Sequence, residues 1–121
     1  MTLERQRLAR RAEEQVAEYL VRRGFRVIGM NVRAGRLELD VVAERRGLVV
    51  VCEVRARSSD RFGSPAETID YRKVARVREA TRRWLEREGR LGQAVRLDAA
   101  ALTFDGPQAT VGRMEYYEGA L

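Results

Sequence analysis

Two neighbouring apolar runs carry charges at alternate positions, and this pattern restricts the chain more than any other. The first is Leu37-Glu38-Leu39-Asp40-Val41-Val42, and the second is Val49-Val50-Val51-Cys52-Glu53-Val54-Arg55. Both read as β-strands, whose successive side chains alternate faces. Strict alternation puts Glu38 and Asp40 on one side of the first strand, and Glu53 and Arg55 beside Val49 and Val51 on the second. If the strands pair, three carboxylates and a guanidinium gather on one side of a sheet. Like charges on half-buried strands raise one another's pKa and cost free energy unless counter-charge is supplied. A divalent cation supplies it. The plainer alternative is a wet sheet face on which Asp40 or Glu38 pairs with Arg55. Against that alternative, the face of the second strand begins with Val49 and Val51 and only then turns charged.

The rest of the chain frames these strands. Leu8, Ala12, Val16, Tyr19 and Leu20 recur on one face of a helix expected over Leu3 to Arg23, with Gly24 as its C-terminal cap. Phe25 to Arg33 reads as a strand in which Gly29 marks a bulge or a close backbone approach. After a turn at Ala34 to Arg36 come strands at Leu37 to Glu44 and Leu48 to Arg57, joined as a hairpin by Arg45-Arg46-Gly47. Ser58 to Thr68 is a loop. A second helix is expected from about Ile69 to Arg87, with Val74, Val77, Thr81, Trp84 and Leu85 on its apolar face and Gly89 and Gly92 beyond its end. Strands at Val95 to Phe104 and Ala109 to Tyr117 flank a turn at Asp105 to Gln108. The order α-β-β-β-α-β-β implies an α/β fold, a mixed sheet flanked by helices.

Composition narrows the chemistry. The 121 residues suit a single domain spanning 1–121 with one core. The longest apolar run, Leu48 to Cys52, is far below the roughly 20 residues that cross a bilayer. No membrane partner is expected, and because the charged Met1 to Arg11 lacks the apolar core of a secretory signal, a cytoplasmic location is expected. Cys52, the sole cysteine, sits within a valine-rich strand and reads as a small core residue. With no histidine, zinc sites and histidine-dependent catalysis are excluded, and any metal must be held by oxygen. Asp40 and Glu53, with a backbone carbonyl next to Glu53, suit magnesium. Glu38 stands within one pleat of Asp40. By helical phase Glu13 lies at the edge of the first helix's apolar stripe, near Leu20, whereas Glu14 faces away. Lys73 sits at the edge of the second helix's stripe. It is the only lysine, so arginine supplies the other 23 of 24 basic residues in a chain of net charge +6. An arginine-rich basic surface suits phosphate and nucleic acid.

The element order and the strings Glu38-Leu39-Asp40 and Glu53-Val54-Arg55 resemble the PD-(D/E)xK nuclease superfamily, whose restriction-endonuclease-like core is α-β-β-β-α-β. More narrowly, the chain is similar to the YraN-type family of small bacterial proteins related to archaeal Holliday-junction resolvases. The likeness also runs through Ala12-Glu13-Glu14, Arg22-Arg23-Gly24-Phe25, Asn31-Val32-Arg33, Arg57-Ser58-Ser59, Phe62-Gly63, Ile69-Asp70-Tyr71-Arg72-Lys73 and Val95-Arg96-Leu97-Asp98. It implies an endonuclease-like domain in which Asp40 and Glu53 hold Mg2+ or Mn2+ and Glu38 and Glu13 support them. Arg55 takes the position of the motif's lysine. The implied activity is metal-dependent cleavage of DNA, including branched DNA, with Arg57, Arg72, Lys73 and Arg76 as nucleic-acid contacts. A homodimer would suit two-stranded cleavage. Two departures keep a second expectation open, a binding module of the same fold with a decayed site. Leu37 replaces the family's glycine, and Arg55 keeps the charge but cannot lose a proton.

Overall fold

A computed structural model describes residues 3–57, 70–105 and 110–121. Helix α1, Leu3–Arg22, buries Ala12, Val16 and Leu20, with Leu8 and Tyr19 packed half-buried on the same side. It ends one residue before the expected Arg23. Gly24, at φ 89°, donates its N–H to Val21 O, and Phe25 N–H reaches Leu20 O, both at 3.0 Å. These bonds satisfy carbonyls of the last turn and set Phe25 against Leu20 in the core.

Strands β1 (Arg26–Ala34), β2 (Leu37–Arg45) and β3 (Leu48–Arg57) follow as an antiparallel meander. The limits differ from expectation by one residue at β1 and at the end of β2. The bulge expected at Gly29 is present, and a side chain of the same strand crowds its backbone. The β1–β2 register shifts between Val27 and Gly29, and a Cβ on Gly29 would stand 2.5 Å from Val32 Cγ2. Helix α2, Tyr71–Arg87, is capped by Asp70, whose carboxylate accepts from Arg72 N at 3.0 Å. It leads to β4 (Ala94–Asp105), parallel to β3, and then to β5 (Thr110–Tyr117), antiparallel to β4. The expected loop at Ser58 to Thr68, Ile69 and the residues 106–108 of the last turn lie outside the described residues.

The sheet runs in the order β1-β2-β3-β4-β5, with a helix on each face. Under α1 lie Val41, Ala43, Val50, Cys52, Ala100, Leu102 and Phe104. Under α2 lie Leu39, Val42, Val49 and Val51, against Val77, Ala80, Trp84 and Leu85 of the helix. Each fully buried valine contributes about 1.5 kcal/mol or more through burial, so β3, lined on both faces, anchors the site strand. The fold is an α/β one with the α-β-β-β-α-β core, extended by β5. Among the described residues no helix is long and apolar enough to cross a membrane.

One expectation about faces is corrected. Leu39 and Val42 both pack toward α2, whereas Val41 and Ala43 pack toward α1. Alternation along β2 therefore slips by one residue at Asp40, and Glu38 and Asp40 are not related by simple pleat spacing. On β3 the alternation is regular: Val49 and Val51 face α2, Val50 and Cys52 face α1, and Glu53 continues the first set.

Candidate metal and phosphate site

The site lies where β2 and β3 part. Their ladder ends at Val41–Cys52. Beyond it, Asp40 N donates to Glu53 Oε2 at 3.3 Å and Val54 N donates to Asp40 Oδ2 at 2.8 Å. Side-chain carboxylates thus replace the carbonyl acceptors that a continued ladder would have offered. The exchange ties the two acids to each other's strands. Oδ1 of Asp40 and Oε1 of Glu53 take no hydrogen bond from the described residues.

This arrangement is electrostatically uncomfortable. Glu53 is 8% exposed, and burial, reinforced by the charges of Asp40 and Glu13, pushes its carboxyl from 4.5 up to about 7 against the opposing Asp40 N–H and Lys73. Burial also raises Asp40, with Glu38 adding to it and the Val54 N–H and Lys73 working against it. Glu13 is raised by burial and then by Asp40 and Glu38, while its bond from Asn31 Nδ2, at 3.1 Å, and the charge of Arg10 oppose the rise. Three acids from α1, β2 and β3 thus share one field across the end of the β2–β3 seam. Lys73 reaches the same field from α2.

The other expected residues are placed as follows. Glu38 is exposed and sits 3.6 Å from Arg33, its cross-strand partner on β1. Arg55 and Arg57 are half-buried on β3, opposite Ala101 and Thr103 of β4. Arg72 and Arg76 are exposed on α2, and Lys73 between them is half-buried. Glu14 is exposed, as its helical phase requires, and Cys52 is fully buried, which pushes its thiol up. Sequence reasoning gave no role to Asn31, which bonds Glu13, or to Asp98. The latter is wholly buried on β4 and accepts from Arg96 Nε and Nη2, both at 2.9 Å, Tyr116 Oη at 2.5 Å and Gly119 N at 2.8 Å. The clue to Asn31 was an amide residue two positions after a glycine, between the apolar Met30 and Val32. The local clue to Asp98 was Arg96, two positions earlier on the same strand, but its other two donors come from beyond β4.

Among the described residues no group of three or more acidic, cysteine or histidine side chains is gathered tightly enough to hold a metal by itself. Two carboxylates, each with one oxygen that takes no hydrogen bond from the described residues, fall short of the six to eight oxygens calcium takes. They suit magnesium, which commonly accepts one or two carboxylates and completes its shell with water and phosphate. Asp40 and Glu53 could hold such an ion.

The sequence profile of the uncharacterised protein family UPF0102 matches residues 12–102, a stretch that contains every acid of the site. Among similar proteins, a UPF0102 protein of Anaeromyxobacter dehalogenans is 38% identical over 116 residues, covering 96% of this chain and 84% of its own. One from Rhodopirellula baltica is 36% identical over 119 residues, 97% of this chain and 71% of its own. One from Moorella thermoacetica is 35% identical over 120 residues, 99% of each.

Proposed function

The chain belongs to the UPF0102 family, and on that footing we propose that it is a divalent-metal-dependent phosphodiester hydrolase acting on DNA, including branched DNA. One observation carries the reading: Asp40 and Glu53, half-buried and buried, take hydrogen bonds from each other's strands, and both carboxyls are pushed up. An acid pair held this way gains most from a cation that replaces its protons. Asp40 and Glu53 would hold Mg2+ or Mn2+. When bound, the ion lowers the pKa of water and offsets charge on the phosphate. Glu38 and Glu13 add negative potential at its edge. Arg55, two residues beyond Glu53 on the regular part of β3, would grip the phosphate by forked hydrogen bonds and would not act as a base. Arg57, Arg72, Lys73 and Arg76 would meet the DNA backbone, in keeping with the net charge of +6. A second reading, a binding module that does not cleave, is favoured by Arg55 and Leu37 where the family pattern has lysine and glycine.

The test compares cleavage of plasmid, single-stranded and four-way-junction DNA, with Mg2+ or Mn2+, by the protein and by Asp40→Ala and Glu53→Ala. Loss of cleavage by about 100-fold or more in each variant is expected. Cleavage that survives both changes would sink the hydrolase. Salt-sensitive DNA binding without cleavage would establish the second reading.

A further inference from the structure

We propose that Asn31 is a positioning residue for the acid site, fixing the Glu13 carboxylate beside Asp40 through a left-handed backbone that aims its amide at α1. The inference rests on the hydrolase reading for its consequence in catalysis and on the structure alone for the contact itself.

Among the described residues two that are not glycine have positive φ, Asn31 at 52° and Arg46 at 49°. Arg46 sits with Gly47 in the β2–β3 hairpin turn, where such angles are ordinary. Asn31 is within a strand, where they are not. Left-handed backbone disfavours most L-residues, and asparagine tolerates it best after glycine. Strain of this kind persists where the surroundings over-determine it, and it gathers at functional sites. Three observations say what holds it here. Asn31 falls opposite Asp40, between the pairs Met30–Val41 and Val32–Leu39. That is the step at which the alternation of β2 slips. Its Nδ2 donates to Glu13 Oε1 at 3.1 Å. Just before it, Gly29 lets the strand fold onto Val32 in space that a Cβ would fill. The bend in β1 therefore brings an uncharged donor to an acid that Asp40 and Glu38 repel. Arginine or lysine at this position would neutralise Glu13, and an apolar residue would release it. An amide orients it and leaves its charge in the field of the site. Among the described residues Glu13 completes no three-acid ligand group, and in this scheme it acts on the site through its charge.

The experiment is a double-mutant cycle with Asn31→Gly and Glu13→Ala, because glycine keeps the backbone angle and deletes only the amide. The first measurement uses urea unfolding with neither metal nor DNA. The factor by which Asn31→Gly changes the unfolding constant is expected to differ at least threefold between the native background and the Glu13→Ala background, about the size of one hydrogen bond. A difference under about 1.5-fold overturns the proposal whatever the protein cleaves. The second measurement is Mn2+-dependent cleavage. Asn31→Gly should lower kcat about tenfold with KM for DNA unchanged when Glu13 is present, and by less than about twofold when it is absent. Equal losses in both backgrounds also overturn it, since they mark a merely structural role. Coupling in unfolding together with no cleavage by any variant would defeat the hydrolase reading and uphold the positioning of Glu13.

Discussion

Asp98 and the Asp40–Glu53 pair are acids built into the same sheet and treated in opposite ways. Asp98 receives both arms of the Arg96 guanidinium, a phenol and a backbone N–H. Arg96 is itself steadied by Glu118 at 3.0 Å. Every lone pair that Asp98 hides from water is repaid by a donor, and its charge by a cation. Among the described residues Asp40 and Glu53 receive one backbone donor each, both feel the charge of Lys73, and Asp40 repels Glu53. The contrast separates an acid that ties β4 to β5 and to Gly119 from acids that take one donor each from the described residues. The fold has the means to satisfy a buried carboxylate, and at the β2–β3 seam the described residues supply only one donor to each acid.

The sharpest way to break this comparison is to remove each acid and measure stability. Asp98→Ala leaves a guanidinium, a phenol and a backbone N–H facing a void, and should cost about 4 kcal/mol in urea unfolding. A loss under about 1 kcal/mol would erase the distinction. Glu53→Gln should act in the opposite direction without metal. Because its folded carboxyl titrates at about 7 against a usual 4.5, the folded state binds the extra proton between those values. Stability linked to Glu53 is therefore full below pH 4.5 and is lost as pH rises through 7, by on the order of 3 kcal/mol. Metal-free protein should gain stability on acidification from about pH 8 to about pH 5, and Glu53→Gln should flatten the slope and unfold at higher urea at the alkaline end. A slope of the other sign would mean that the seam satisfies its acids as Asp98 is satisfied. The smallest effect concerns Lys73, which favours the charged form of both acids. In Lys73→Met the Glu53 carboxyl, followed by carbon NMR, should titrate higher, an effect of about 1 kcal/mol or less for a half-exposed cation. A midpoint that stays put would detach α2 from the site.

Much of this was legible before the structure. Apolar periodicity located both helices, and the hairpin around Gly47 put β2 beside β3, because these are local signals read over a few residues. Helical phase likewise separated Glu13 from Glu14. The step at Asp40 was not legible. Period-two reasoning assumes an unbroken strand, and the break lies across from Asn31 on β1, a neighbour that only the folded sheet supplies. Nor could the sequence place Asp98 in a closed network, since Tyr116 and Gly119 reach it only after β5 has paired back onto β4. The family likeness pointed to Asp40 and Glu53 as a pair. The exchange of backbone donors between them is a fact of three dimensions.

The parallel ladder from Leu48–Ala94 to Arg57–Thr103 sets an order of events for a chain emerging from the ribosome. Glu13, Asp40 and Glu53 are synthesised within the first half, and the meander β1-β2-β3 needs only local turns to form. The second neighbour of β3 arrives after α2 and 46 residues of separation in each ladder pair, 94 minus 48. Until then β3 is an open edge, with its N–H and C=O groups seeking any partner. The acids exist early, but the strand that carries Glu53 is held on both sides only once β4 has been made. A nascent chain beside ribosomal RNA thus carries the parts of the site before it has the site.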